Sequence, residues 1–448
     1  MMRLHHLMSA CLMLAVPLAG EAQAARAPST TAAAAVQDST TSSFDVNGLH
    51  VILRRNTANE VVAANLYLLG GTEQLTPAKQ GIESFLLHAA ERGTQRFPGE
   101  LGRDLIASLG SHVVIEPSAD WTLYGVSAIR STFDSTWAIF ADRLVAPTLD
   151  SAQVELVRRQ MISAVRQAST SPDPLLAHLA DSLLYVGHPY GFAPEGNESS
   201  LRSISLEQLR QYQATQIITS RMLLVVVGNV DRPEIERLVQ QTLGTLPHGS
   251  YSWAPPQMPA HLGRAAVIRN VSLPTNYILG YYLGPSARDP DYQALRVADA
   301  VLAGRFYTEI RSKRNLSYDV DAPFVERAIA NGGVYVTTVD PNATLQLMRT
   351  EIDRLQRELI DPAGLERLIQ QFITDYFLKN ETNGDQATFL ARAAIYQGDY
   401  HAANHFVDDL RRVTPEDVRR VARTYMHDFR FVYLGNPDVL ARALLDQF

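Results

Sequence analysis

Three places in the sequence bring together residue types that could do chemistry. Ser84 and His88 stand four apart in Gly81-Ile82-Glu83-Ser84-Phe85-Leu86-Leu87-His88. On a helix they share a face, where an imidazole could take a hydroxyl proton. No acidic residue is evident to orient that imidazole, so the pair lacks the third member of a triad. His401 and His405 are also four apart, in His401-Ala402-Ala403-Asn404-His405. A helix would turn both toward one ion, but Asn404 cannot serve as a base and spacing supplies no acidic third ligand. The plain reading is two exposed helical histidines. The third place is Glu309-Ile310-Arg311-Ser312-Lys313-Arg314-Asn315-Leu316-Ser317-Tyr318. Its cations suit a helix C-terminus, where positive charge is favoured, and Tyr318 would then be a strand aromatic.

The elements that must position these residues are legible from pattern. Phe44 to Leu53 predicts a hairpin turning at Asn47-Gly48, and the apolar, β-branched run Val61 to Leu69 predicts the next strand. An internal repeat organises the rest. Leu201-Arg202-Ser203-Ile204-Ser205-Leu206-Glu207 matches Leu410-Arg411-Arg412-Val413-Thr414-Pro415-Glu416, and in each copy a Ser or Thr opens a helix. Each copy then ends in an apolar strand closing on Gly-Asn, at Gly228-Asn229 and Gly435-Asn436. An offset near 200 residues is far longer than a solenoid repeat and indicates a duplicated domain. Strands at the ends of each half enclose helical stretches such as Gln153–Gln167 and Ala363–Leu378. The fold class expected is α+β: two homologous halves, each a mostly antiparallel sheet packed by helices, forming a clamshell.

Composition bounds the remainder. A chain of 448 residues, 46% hydrophobic and 19% charged, is large for one core. A net charge of −7 disfavours nucleic acid as a partner. Residues 1–24 carry the marks of a cleaved signal peptide: Arg3, an apolar run from Leu7 to Leu18, and Ala22-Gln23-Ala24 as the cleavage site. An exported, periplasmic protein follows. No run is long enough to span a membrane. The single cysteine, Cys11, lies in that signal, so the mature chain would hold no disulfide. The Ala/Ser/Thr-rich stretch 25–43 is expected as a flexible leader, 44–247 as the first half, 248–262 as a Pro-rich linker and 263–448 as the second half.

The segment Gly81 to His88, followed by Glu91-Arg92-Gly93-Thr94, resembles the zinc helix of the pitrilysin/insulinase peptidases, which carries H-x-x-E-H after a Gly and ahead of a Gly-Thr. Those peptidases hold zinc with both histidines, and the Glu between them activates the metal-bound water. Here Ser84 stands at the first His, Leu87 at the Glu, and His88 alone is kept. The family's third ligand, a Glu on a later helix, matches Ala164. The resemblance therefore implies a degenerate metal site that binds no cofactor, and no metallopeptidase activity by this chain alone. His188-Pro189-Tyr190-Gly191 also matches a family pattern, as a structural loop.

Arg311 and Tyr318, seven apart with Leu316 between them, resemble the family's Arg–Tyr pair. That pair faces the zinc from the opposite half: the Arg binds the substrate backbone and the Tyr hydroxyl donates to the oxyanion. The resemblance implies a non-catalytic, substrate-binding subunit of a heterodimeric zinc peptidase. Its partner would be a paralogous H-x-x-E-H subunit carrying the zinc, with a peptide as substrate. The alternative is an inactive scaffold or peptide-binding protein of the same fold.

Overall fold

The computed structural model describes residues 40–448. The expected signal peptide, Cys11 and residues 25–39 of the expected leader lie outside the described residues. Strand pairing begins earlier than the sequence suggested. β1 (Thr41–Val46) pairs with β2 (Leu49–Arg55) from Thr41 onward, so Thr41, Ser42 and Ser43 belong to the sheet rather than to a leader. Their polar side chains read as linker, but an edge strand needs only backbone pairing on one side. The hairpin turns at Asn47 (φ 47°) and Gly48 (φ 75°), the left-handed pair that a two-residue type I′ turn requires.

The first sheet adds β3 (Val61–Leu69), β4 (His112–Pro117), β5 (Trp121–Ile129) and β6 (Met222–Gly228) in the order β1-β2-β6-β3-β5-β4. All its pairs are antiparallel except β2 with β6. The second sheet comprises β7 (Ala265–Asn270), β8 (Asn276–Ser286), β9 (Val320–Asp321), β10 (Phe324–Val325), β11 (Ile329–Thr338) and β12 (Arg430–Gly435). Its order is β10-β11-β8-β12-β7 with β9 beside β11, and its one parallel pair is β12 with β7. β6 and β12 thus hold equivalent places, each between a parallel and an antiparallel neighbour. Both end on a glycine with nearly the same unusual backbone, φ 157° at Gly228 and 154° at Gly435. A Cβ at Gly435 would meet Asn276 Oδ1 at 2.2 Å, so only glycine fits there.

Eight helices matter to the argument: α1 (Ile82–Ala90), α2 (Ser151–Thr170), α3 (Pro172–Leu184), α4 (Leu206–Gln216), α5 (Asp291–Phe306), α6 (Pro362–Lys379), α7 (Asn383–Arg392) and α8 (Pro415–Tyr425). Ser205 and Thr414 cap α4 and α8 with reciprocal capping boxes, the repeat expressed in three dimensions.

Each half buries one sheet face under its own helices. The opposite face is covered by a helix from the other half. α3, in the first half, packs on β8 and β12 of the second sheet, and α7, in the second half, packs on β3 and β6 of the first. Leu176, Ala180 and Leu184 of α3 share a core with Leu279, Tyr281 and Val432. Ala387, Leu390 and Ala391 of α7 share another with Ile52, Tyr67 and Val225. With both faces covered, β6 is buried along its whole length, which is why Met222 to Val227 reads as an unbroken apolar run rather than an alternation. The clamshell is therefore a closed one. Polar pins cross the seam: Arg327 makes a two-pronged ion pair with Asp181, at 2.7 and 3.1 Å, and Tyr335 donates to Asp173 at 2.8 Å. Buried Asp120 accepts from the Tyr190 hydroxyl, from the Tyr396 hydroxyl at 2.7 Å and from the Ala328 N–H at 3.0 Å.

Candidate functional site

α1 carries the residues that would form a metal site, and its surroundings are dry. Ser84 and Leu87 are 2% and 1% exposed, and Leu87 belongs to the core of the first half. Only His88 reaches toward solvent, with its Nδ1 3.7 Å from Glu91 Oε2. Glu91 also accepts from the buried Arg143 at 3.0 Å. Burial pushes the Glu91 carboxyl up, but the neighbouring His88 imidazole and the Arg143 charge outweigh it and hold the group below its ordinary range.

α2 packs on α1. Ala164 is exposed there, and it is Val165 that packs against the core shared with Leu87. Neither side chain offers a lone pair to a metal. A lone imidazole beside a buried leucine does not fit a zinc ion. Ser84 makes no hydrogen bond to His88 among the described residues, so the hydroxyl–imidazole pairing is not assembled either.

α1 is instead held by charge. Arg221, fully buried, donates from Nη1 to Glu83 Oε2 at 2.5 Å and from Nε to the Leu69 carbonyl at 2.7 Å. The Tyr212 hydroxyl donates to the same Glu83 oxygen at 3.0 Å. This anchor was not visible in the sequence, since Glu83 and Arg221 lie 138 residues apart.

In the second half, α5 runs on through a wider π-type turn, Tyr307–Ser312, which carries Arg311. Asn315, left-handed at φ 52°, ends the helix, and the Leu316 N–H returns to the Ile310 carbonyl at 3.0 Å. That reversal folds Tyr318 back over Arg311, whose guanidinium carbon lies 4.6 Å from the Tyr318 ring. It also lies 5.3 Å from the ring of Tyr307, so the cation is flanked by two aromatics. Tyr307 was missed in the sequence, although its position four before Arg311 on a helix could have signalled it.

The basic run divides in two. Lys313 and Arg314 are both committed to Glu309, at 2.6 and 2.7 Å. Arg311 has no carboxylate partner, and the Tyr318 hydroxyl no hydrogen-bond partner, among the described residues; Tyr318 is 69% exposed. Free guanidinium N–H groups and a free phenol beside them can donate to a carbonyl or an oxyanion.

His401 and His188, two other histidines singled out from the sequence, are held by local partners. His401 and His405 fall in a 3₁₀ segment, Tyr400–His405, not in the α-helix expected. With three residues per turn, positions four apart leave the common face. The His401 Nδ1 lies 2.7 Å from Asp399 Oδ1, with its ring stacked on Tyr400. His188 accepts the Tyr190 N–H at Nδ1 and donates from Nε2 to the Gln257 carbonyl at 3.0 Å, fixing the loop before α4.

Comparison with known proteins places this geometry. Residues 50–191 match the model described as insulinase (peptidase family M16), and residues 203–372 match that of the peptidase M16 inactive domain, together more than half of the chain. Mitochondrial-processing peptidase subunit beta of Blastocladiella emersonii is 24% identical over 398 residues, spanning 85% of each chain. Human cytochrome b-c1 complex subunit 1 is 24% identical over 290 residues, 64% of this chain and 58% of that protein. A protease from Helicobacter pylori has the same fold, with a TM-score of 0.81 at 19% identity over 88% of this chain and 99% of that one.

Proposed function

Because the chain belongs to the insulinase (M16) peptidase family, we propose that it is the non-catalytic, substrate-binding subunit of a two-chain zinc peptidase. Metal and water activation would belong to a paralogous H-x-x-E-H partner, with Arg311 and Tyr318 supplied from this chain. The observation that carries the reading is the division of the basic run: Lys313 and Arg314 are neutralised by Glu309, whereas Arg311 lies between the Tyr307 and Tyr318 rings with no carboxylate partner among the described residues. A solvated basic patch gives no reason for that asymmetry. In the role proposed, Arg311 binds a peptide carbonyl and the Tyr318 hydroxyl donates to the oxyanion, where one donor contributes about 3–4 kcal/mol to the transition state.

The reading is tested by cleavage of a quenched peptide library by this chain, by an H-x-x-E-H paralogue and by the two mixed, with and without chelator. Chelator-sensitive activity in the mixture well above that of the paralogue alone is the expected result. A mixture no better than the paralogue overturns it. The second reading, a scaffold or peptide-binding protein without a catalytic role, is favoured by the similarity to a protein named as a subunit of the cytochrome b-c1 complex. It requires peptide binding or complex assembly with no turnover in any mixture. Export to the periplasm, resting on residues 1–24, is part of the proposal and is tested by N-terminal sequencing of the mature protein, with cleavage expected after Ala24.

A further inference from the structure

Away from α1 and from the Arg311–Tyr318 pair, the linker meets the turn between α8 and β12. His261 comes from the linker, and His427 and Asp428 from the turn. One carboxylate oxygen, Asp428 Oδ2, lies 3.0 Å from His261 Nε2 and 2.9 Å from His427 Nδ1. The other nitrogen of His427, Nε2, lies 2.9 Å from the Thr424 carbonyl oxygen. A carbonyl only accepts, so Nε2 carries a proton. Nδ1 in turn faces a carboxylate oxygen that only accepts, so either a second proton or a metal cation sits between the two groups.

We propose that His261, His427 and Asp428 form a binding site for one borderline divalent transition-metal ion, of which zinc is the probe. Their ligand atoms all lie within 4.8 Å of one another. Ligands about 2.0–2.1 Å from a tetrahedral zinc sit roughly 3.3 Å apart, a few tenths of an ångström from the two His–Asp spacings. The remaining His–His side closes by at most about 1.5 Å, and the His261 side chain, 63% exposed, is free to turn. Two imidazoles and one carboxylate select zinc, copper or nickel over magnesium or calcium.

The surroundings are built for the role. Asp428 is left-handed at φ 53°, which aims its carboxylate back at the histidines. Arg264 Nε lies 3.4 Å from its second oxygen. Arg430 donates to the carbonyls of Leu262 and Gly263 at 3.1 and 2.9 Å, fixing the linker beside His261. The Nε2–H to Thr424 hydrogen bond of His427 is the outer contact that metal-bound histidines ordinarily make. A cavity of about 190 Å³, lined also by Leu184, Met258 and Tyr425, leaves the fourth position open to water or a small anion. The ion would tie the linker to the second half.

The test is equilibrium dialysis of the full-length, untagged chain against zinc, with magnesium as the hard-cation control. One zinc per chain is expected. His261→Ala, His427→Ala and Asp428→Asn should each weaken it at least about tenfold, and His401→Ala should not. Asn tolerates the left-handed backbone, so Asp428→Asn reports on ligation rather than folding. Zinc should also raise the Tm of the native chain and of His401→Ala, but not of Asp428→Asn. Absence of saturable binding, or binding indifferent to all three substitutions, overturns the site. No partner or substrate enters this measurement, so its outcome is independent of the peptidase proposal.

Discussion

Removing the Glu83 carboxylate should destabilise the chain more than any surface change on α1. Arg221 is fully buried, and its Nη1 meets Glu83 Oε2 at 2.5 Å. Glu83→Ala leaves that guanidinium with the Leu69 and Gln216 carbonyls and no counter-charge. Breaking one side of a buried pair costs about 3–5 kcal/mol, against about 5–15 kcal/mol for the whole of a typical domain's stability. At about 2.1 cal/mol/K per residue, the unfolding entropy of a chain this long is near 0.9 kcal/mol/K, so Tm falls by roughly 3–6 °C. The assay is a double-mutant cycle of Glu83→Leu and Arg221→Met, followed by calorimetry and by urea midpoints. The double variant is expected to lose less than the two singles combined, because no unpaired charge remains. It will not be neutral, since the Tyr212 hydroxyl and the Leu69 carbonyl lose partners at about 1–3 kcal/mol each. Singles that cost under about 1 kcal/mol, or a double equal to their sum, would refute the argument that this pair anchors α1.

Three further outcomes can be measured. Tyr318→Phe removes a hydroxyl with no protein partner from a side chain 69% exposed, so stability should change by less than about 0.5 kcal/mol while kcat of the two-chain mixture falls about 100-fold or more. Equal losses in both would make Tyr318 structural. Leu87→Glu places a carboxylate at a site 1% exposed, with no cation provided for it, and should lower stability by about 3 kcal/mol or more by urea titration without creating a zinc site on α1. The Glu91 carboxyl is held below its ordinary value of 4.5, so its contribution is complete above that pH and is lost as pH falls through the lower folded-state value. The Tm gap between the native chain and Glu91→Gln should therefore narrow below about pH 4.5, and a gap constant with pH would contradict it.

Much of the fold was legible because it rests on local rules. Asn47-Gly48 can form only a narrow set of turns, and Ser205 and Thr414 cap helices wherever those helices pack. The run Met222 to Val227 announced a strand covered on both faces, but nothing in it named what covers the second face. α3 and α7 read as ordinary helices of their own halves, and only tertiary packing sends each to the other's sheet. The chemistry-bearing residues divide the same way. That Ser84 and Leu87 offer neither an imidazole nor a carboxylate is legible from residue type alone. The spacing of His401 and His405 lost its meaning because their segment winds three residues to the turn.

The exchanged helices also constrain where a peptide could be held. Separating the halves would strip α3 from β8 and β12, strip α7 from β3 and β6, and leave Asp120 without the Tyr396 hydroxyl and the Ala328 N–H. Each of those groups is buried, and an unpaired buried polar group costs about 1–3 kcal/mol before any apolar area is counted. Opening the chain along its own seam is therefore far more costly than meeting a second chain. Arg311 and Tyr318 lie outside that seam, beyond the end of α5, with free donors and exposed aromatic edges. In the two-chain reading proposed above, a peptide bound to them would be enclosed by the partner chain rather than by an opening of this one.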